Sequence, residues 1–164
     1  MYAVAGHMAR GRVRMGFGPG RRPVMEADLS AGRIVKRGVV AVARRGDRFL
    51  AIRRGRTVAA GGRVCFPGGH IEPGEAEHEA VVRECREELA AAVAPAECVY
   101  RSVTAWGTAL AWWRVTLEEG ELVPHPIEVD EILWLSLEEM LADPTLLAGN
   151  RDFLEAVIAG RVQL

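Results

Sequence analysis

Residues 69–88 read GHIEPGEAEHEAVVRECREE, a glycine-rich turn that runs straight into a carboxylate-studded helix. This feature constrains the fold most, because it fixes a tight loop and a rigid helix side by side. Projected at about 100° per residue, Glu84, Glu87 and Glu88 fall on one helical face. Val81, Val82, Cys85, Leu89 and Ala92 gather on the other face, which is the face a core would bury. Like charges at i,i+4 spacing repel by a few tenths of a kcal/mol, roughly, so the acidic face is a liability on its own. A divalent cation turns it into a site. Taken alone, RECREE reads as a solvated face with Arg83 and Arg86 as intrahelical partners. The FPGGHIEPGE run ahead of it has no purpose in a plain amphipathic helix.

Length and composition bound the alternatives. A chain of 164 residues with 49% hydrophobic and 26% charged residues suits one globular domain with its own core. A net charge of −1 gives no global basic field for nucleic acid or membrane. No apolar run approaches the roughly 20 residues that span a bilayer, and no signal-peptide h-region is evident. Cys65, Cys85 and Cys98 lack CxxC spacing and leave one thiol over in any disulfide scheme, which favours a reducing, cytoplasmic setting.

Residues 1–32 carry Arg10, Arg12, Arg14, Arg21 and Arg22 among glycines and read as a flexible basic tail. Gly6-His7-Met8 resembles a cloning remnant. The domain is expected over 33–164. Strands are expected at 34–43 and 49–53, joined as a hairpin across Gly46-Asp47, and at 64–66. The 76–94 stretch reads as the acidic helix. Strands follow at 97–104 and 109–117 across Gly107, and at 131–135. Ser136 with Glu139 three residues on forms a capping-box pattern, and a last helix is expected to about Ala159. Strands with a helix inserted among them imply an α/β sandwich.

The acidic segment also matches a family pattern. Gly69, Glu75, Arg83, Glu84, Glu87 and Glu88 fall in register with the Nudix box, and Phe66-Pro67-Gly68-Gly69 and Glu72-Pro73-Gly74-Glu75 have its usual flanks. The chain therefore resembles a Nudix hydrolase of the MutT-like kind, from about Gly32 onward. The resemblance implies the Nudix fold, a mixed β-sheet sandwiched between α-helices. Three positions depart from the pattern: Cys85 replaces an aliphatic, Ala90 the closing Gly, and Ala91 the last aliphatic. Alanine at the helix exit predicts that the helix runs on, to Ala94 before Pro95.

The resemblance implies hydrolysis of a diphosphate linkage in a nucleoside diphosphate derivative, with Mg²⁺ or Mn²⁺ as cofactor. Glu84, Glu87 and Glu88 match the main ligand positions, and Gly69 offers a backbone carbonyl. Arg83 matches the arginine that orients a box glutamate, and Glu75 a position that supports loop and helix. Glu84 or Glu87 is a candidate general base. Many relatives carry an extra carboxylate outside the box; Glu131 is the first candidate here, with Glu128 and Asp130 behind it.

Substrate choice is less legible. RSVTAWGTAL follows the box where subfamily markers usually stand, and matches none of them. Trp106, Trp112 and Trp113 are candidate base-stacking residues, but adjacent strand residues face opposite ways, so Trp112 and Trp113 cannot share a pocket. Trp134 reads as core. Arg53, Arg54 and Arg56, placed on the loop before the box, are candidate phosphate contacts, and His70 a candidate substrate contact. His125 lies between two prolines with no evident partner. Three functions stay open: a pyrophosphohydrolase of free nucleotides, favoured; an RNA 5′-pyrophosphohydrolase; and a nucleotide-binding sensor without turnover. Homodimerisation is common in the family.

Overall fold

The computed structural model describes residues 36–164, so the basic tail and the first residues of the expected opening strand lie outside the described residues. Seven strands and three helices follow in order: β1 (Lys36–Val42), β2 (Arg44–Arg45), β3 (Arg48–Arg54), β4 (Val64–Cys65), α1 (Glu77–Leu89), β5 (Val93–Val103), β6 (Thr108–Leu117), β7 (Val129–Ser136), α2 (Leu137–Ala142) and α3 (Ala148–Ile158).

The strands form two sheets. The first is mixed, ordered β1-β6-β5, with β1 parallel to β6 and β5 antiparallel to it. In the second, β3 pairs antiparallel with β7 along one edge and with β2 and β4 along the other. The hairpin expected from 34–43 and 49–53 is thus corrected. Only Arg44–Arg45 turns back on β3, while β1 leaves it to pair with β6. Turn chemistry at Gly46-Asp47 specified the local reversal, but the longer strand found its partner some 70 residues downstream, as parallel pairing requires a crossover.

Alternation along β1 divides the interior. Val39 and Ala41 face a core built with Val81, Cys85 and Leu89 of α1. Val40 and Val42 face a second core with Met140 and with Phe153 and Leu154 of α3. Helices therefore cover both faces of the strands. Trp112 and Trp113 obey the same rule. Trp112 is fully buried in the second core, stacked on Phe153 at 4.3 Å between ring centroids, and Trp113 packs toward the first. Phe66 meets Phe153 edge-on at 5.5 Å and so fixes the lead-in to the glycine turn against α3.

The expected extension of α1 to Ala94 is also corrected. The helix ends at Leu89, and Ala90 takes a left-handed conformation with φ 51°. Its amide bonds to the Arg86 carbonyl and the Ala91 amide to the Cys85 carbonyl, a Schellman-type ending. Alanine here does the work that glycine does at less steric cost. Val93 and Ala94 belong instead to β5, which starts earlier than the sequence suggests.

Candidate active site

The turn before α1 is held to β1 by main-chain bonds. Ala41 donates to the Pro67 carbonyl (2.8 Å), Val39 to Gly69 (2.9 Å), and Ile71 to Arg37 (3.0 Å). From the other side, the Phe66 amide donates to Oδ1 of the buried Asn150 at 2.8 Å. The turn is therefore clamped between a strand and α3. A Cβ on Gly69 would lie 2.5 Å from the Glu84 carboxylate, which would have to move to admit it. Its carbonyl, a candidate ligand, already accepts the Val39 amide and has one further lone pair to offer.

Arg83 organises the carboxylates. Its Nε and Nη2 grip Glu75 at 2.8 and 2.9 Å, and Nη2 also donates to the His70 carbonyl at 2.8 Å. Nη1 donates to Glu84 Oε1 (2.9 Å) and Glu87 Oε2 (3.0 Å). One guanidinium thus joins the turn to the acidic face of α1. It holds the Glu75 carboxyl down at about 2, chiefly by that hydrogen bonding. Glu75 also accepts the Glu72 amide (2.9 Å), closing the Pro-Gly turn.

Glu84 and Glu88 are buried, whereas Glu87 is exposed. Burial raises the Glu84 carboxyl against the opposing pull of Arg83, with the Glu87 and Glu128 charges adding to the rise. Burial pushes Glu88 up to about 8, although the Gly68 amide donates to it at 2.9 Å. The Glu84 charge raises it further, Arg54 lowers it, and Glu128 raises it. Of these two desolvated carboxylates, Glu84 is bonded to Arg83, whereas Glu88 is held by the Gly68 amide.

That donor set suits a hard divalent cation. Among the described residues no three carboxylate, His or Cys ligands already converge. Glu84 and Glu87 turn to Arg83, and Glu88 turns to Gly68. Glu87 is the exposed member of the three, its side chain 55% accessible and paired with Arg83. Nearby Cys65 and Cys85 are buried thiols pushed up to about 12 by burial, so they remain protonated and offer no thiolate.

The other candidates fare unevenly. Arg53 and Arg54 stand at the end of β3, not on the loop. Arg53 Nε bonds Glu131 Oε2 at 3.0 Å, with Nη1 on Thr145 and the Gly62 carbonyl, so both Arg53 and Glu131 are engaged with each other. Arg54 donates to the Ala59 carbonyl (2.9 Å), and its charge is felt at Glu88. Asp130 faces Arg56 at 3.7 Å. Of the three acidic residues considered outside the box, Glu128 is the one whose charge reaches Glu84 and Glu88. Glu128 stands on an irregular turn, where the sequence has no period that would single it out from Glu131 of β7. His70 is exposed and lines an open cleft with Lys36, Arg37 and Ile71. Trp106 is 87% exposed at the tip between β5 and β6, which removes it from the core.

A model of the NUDIX domain matches residues 33–157. The chain belongs to the Nudix family. Among its relatives is the CTP pyrophosphohydrolase of Escherichia coli, 34% identical over 75% of this chain and 91% of that protein. An NAD-capped RNA hydrolase, NudC of Stutzerimonas stutzeri, is 28% identical over 76% of this chain but only 45% of its own length. The chain thus spans about half of the NudC proteins it matches. Among solved structures, the MutT protein of Methanosarcina mazei superposes with a TM-score of 0.66 at 26% identity, covering 76% of this chain and 94% of that one. The E. coli ORF135 protein gives 0.62 at 30% identity, over 77% and 90%. The α/β Nudix architecture read from the sequence is the one observed.

Proposed function

We propose that this Nudix chain is a pyrophosphohydrolase of free nucleotides that depends on Mg²⁺ or Mn²⁺. The observation that carries the reading is the buried Glu84–Glu88 pair beneath the Gly68–Gly69 turn, with one guanidinium between several carboxylates. Glu84, Glu87 and Glu88 would hold the metal, with Gly69 as a carbonyl candidate. When bound, a hard divalent cation offsets phosphate charge and makes water a better nucleophile. Arg83 keeps Glu84 and Glu87 oriented and ties them to the turn through Glu75. Glu128, whose charge reaches the same carboxylates, is the preferred external base, ahead of Glu131, which bonds Arg53; Glu84 and Glu87 remain bases within the box. Arg54 and His70 border the site and are candidate contacts for the substrate's phosphates; Arg53 and Trp106 rank behind them.

Similarity to the CTP pyrophosphohydrolase over nearly its whole length supports a nucleoside triphosphate as substrate. Water would then cleave NTP to NMP and pyrophosphate. The NudC matches support a second reading, a dinucleotide or capped RNA 5′ end, with the tail or the Arg-rich 53–63 segment taking the RNA. Three free thiols suit a reducing cytoplasm, and no helix among the described residues is long and apolar enough to cross a membrane.

A panel of NTPs, damaged NTPs, nucleotide sugars, NAD, 5′-triphosphate RNA and NAD-capped RNA tests this, with Mg²⁺, Mn²⁺ or EDTA. The expected result is metal-dependent release of pyrophosphate from an NTP. Turnover confined to the capped RNA or NAD would favour the second reading. Nucleotide binding with no turnover across the panel would overturn both and leave a sensor.

A further inference from the structure

The segment that carries Glu128 is anchored to the end of α1. The last carbonyls of a helix lack partners within it. Here Val123 donates to the Leu89 carbonyl and His125 to the Glu88 carbonyl, each at 2.8 Å. The chain then turns at Pro126 and runs into β7. Inside that turn the His125 ring faces inward: Nδ1 accepts the Glu128 amide at 3.2 Å and the Ile127 amide at 3.4 Å. The His125 carbonyl takes the Val129 amide at 3.0 Å, and the Glu128 carbonyl takes the Gly55 amide at 2.8 Å. Gly55 permits this approach, since a Cβ on it would sit 1.9 Å from the Ile127 carbonyl oxygen.

We infer that His125 is a positioning residue that delivers Glu128 to the box carboxylates by capping its turn through Nδ1. The inference rests on the hydrolase reading above. A histidine rarely has this task; asparagine and aspartate usually do it, by accepting amides two and three residues on. The equivalence is stereochemical. Nδ1 of His and Oδ1 of Asn are both attached to Cγ, so each reaches the same amides from the same Cβ. Pro126 contributes in two ways. It disfavours the helical conformation for the residue before it, here His125, and it has no amide of its own to compete for Nδ1. Because Nδ1 accepts, the hydrogen of the neutral ring resides on Nε2. The Glu128 main chain is then fixed at both its amide and its carbonyl, while its carboxylate stays exposed and its charge reaches Glu84 and Glu88.

The test uses His125→Leu, His125→Asn, Glu128→Gln and the Leu/Gln double variant, in the full chain. Amide hydrogen exchange at 127–128 is read first, without metal. Protection should be lost with Leu and kept with Asn. With the nucleotide that the panel identifies, Leu should lower kcat by about 10- to 100-fold, the usual cost of losing a supporting hydrogen bond. KM should stay within about threefold and Asn should restore the rate. The double variant should be no slower than Glu128→Gln alone, because both changes remove one unit. Unchanged exchange in Leu, an Asn variant as impaired as Leu, or losses that multiply in the double variant would each overturn the assignment. Should the Leu variant not fold, Gln replaces it: its acceptor lies one bond farther out, so equal behaviour of Gln and Asn overturns the assignment too. An inactive wild-type protein would sink the hydrolase reading; an active one with multiplying losses sinks this inference alone.

Discussion

Glu88 is the residue at which the site's electrostatics concentrate. Its carboxyl sits at about 8, raised above the ordinary value of 4.5 chiefly by burial. The native state therefore holds a proton that the unfolded chain releases between those two values. Stability of the metal-free protein should accordingly fall as pH rises through that window. Glu75, held at about 2, titrates below the window and leaves the slope alone. We predict that the metal-free melting temperature drops from pH 5.5 to pH 8, that Glu88→Gln flattens the drop, and that Mg²⁺ raises the melting temperature more at pH 8 than at 5.5. A thermal shift series over pH checks all three. A slope unchanged in the Gln variant would place the ionisation elsewhere. Glu87→Gln tests the catalytic side: its fold should be intact, since the residue is exposed, while turnover falls by at least about 100-fold through loss of charge beside the phosphates. A near-wild-type rate would remove Glu87 from the proposed ligand set.

Two predictions belong to secondary-structure elements. Ala90 ends α1 at φ 51°, where glycine is freer of steric cost. Ala90→Gly should raise stability by about 0.5–1 kcal/mol, the relief of left-handed strain less the added freedom of the unfolded chain; a urea midpoint shifted upward at constant slope is the expected reading. Asn150 near the start of α3 satisfies the Phe66 amide in the interior. Asn150→Ala should cost about 1–3 kcal/mol by leaving that amide unpaired, and should slacken the glycine turn that follows. Elements set by neighbouring residues were legible in the sequence. The Ser136–Glu139 capping box opens α2 as read, with Glu139 donating its amide to Ser136 Oγ at 3.2 Å. The β5–β6 hairpin and the opposite facings of Trp112 and Trp113 also followed from local spacing. What stayed hidden depends on distant partners. The parallel pairing of β1 with β6 and the bond from Arg53 to Glu131 involve contacts that no periodicity encodes. The box itself was readable because its glutamates share one helix, while Glu128 arrives from a turn whose geometry is set by Gly55 and α1.

Across the whole molecule, the two cores place the acidic face of α1 and the Glu128 turn at one side of the strands, and leave the β5–β6 tip projecting. Trp106 on that tip contributes little to folding. Trp106→Ala should therefore leave the urea midpoint within about 0.5 kcal/mol of wild type, as exposed substitutions do, and a drop of about 1–3 kcal/mol in nucleotide binding would show that the ring stacks on a base. The cysteines have a practical consequence at this scale. Cys65 and Cys85 are buried with thiols near 12, and Cys98 is half-buried, raised by burial, and bonded to the Tyr100 carbonyl. None presents a ready thiolate to a maleimide at neutral pH. A single cysteine introduced at the Trp106 tip would then react ahead of the native three, so that a fluorophore can be installed selectively on an otherwise unaltered chain.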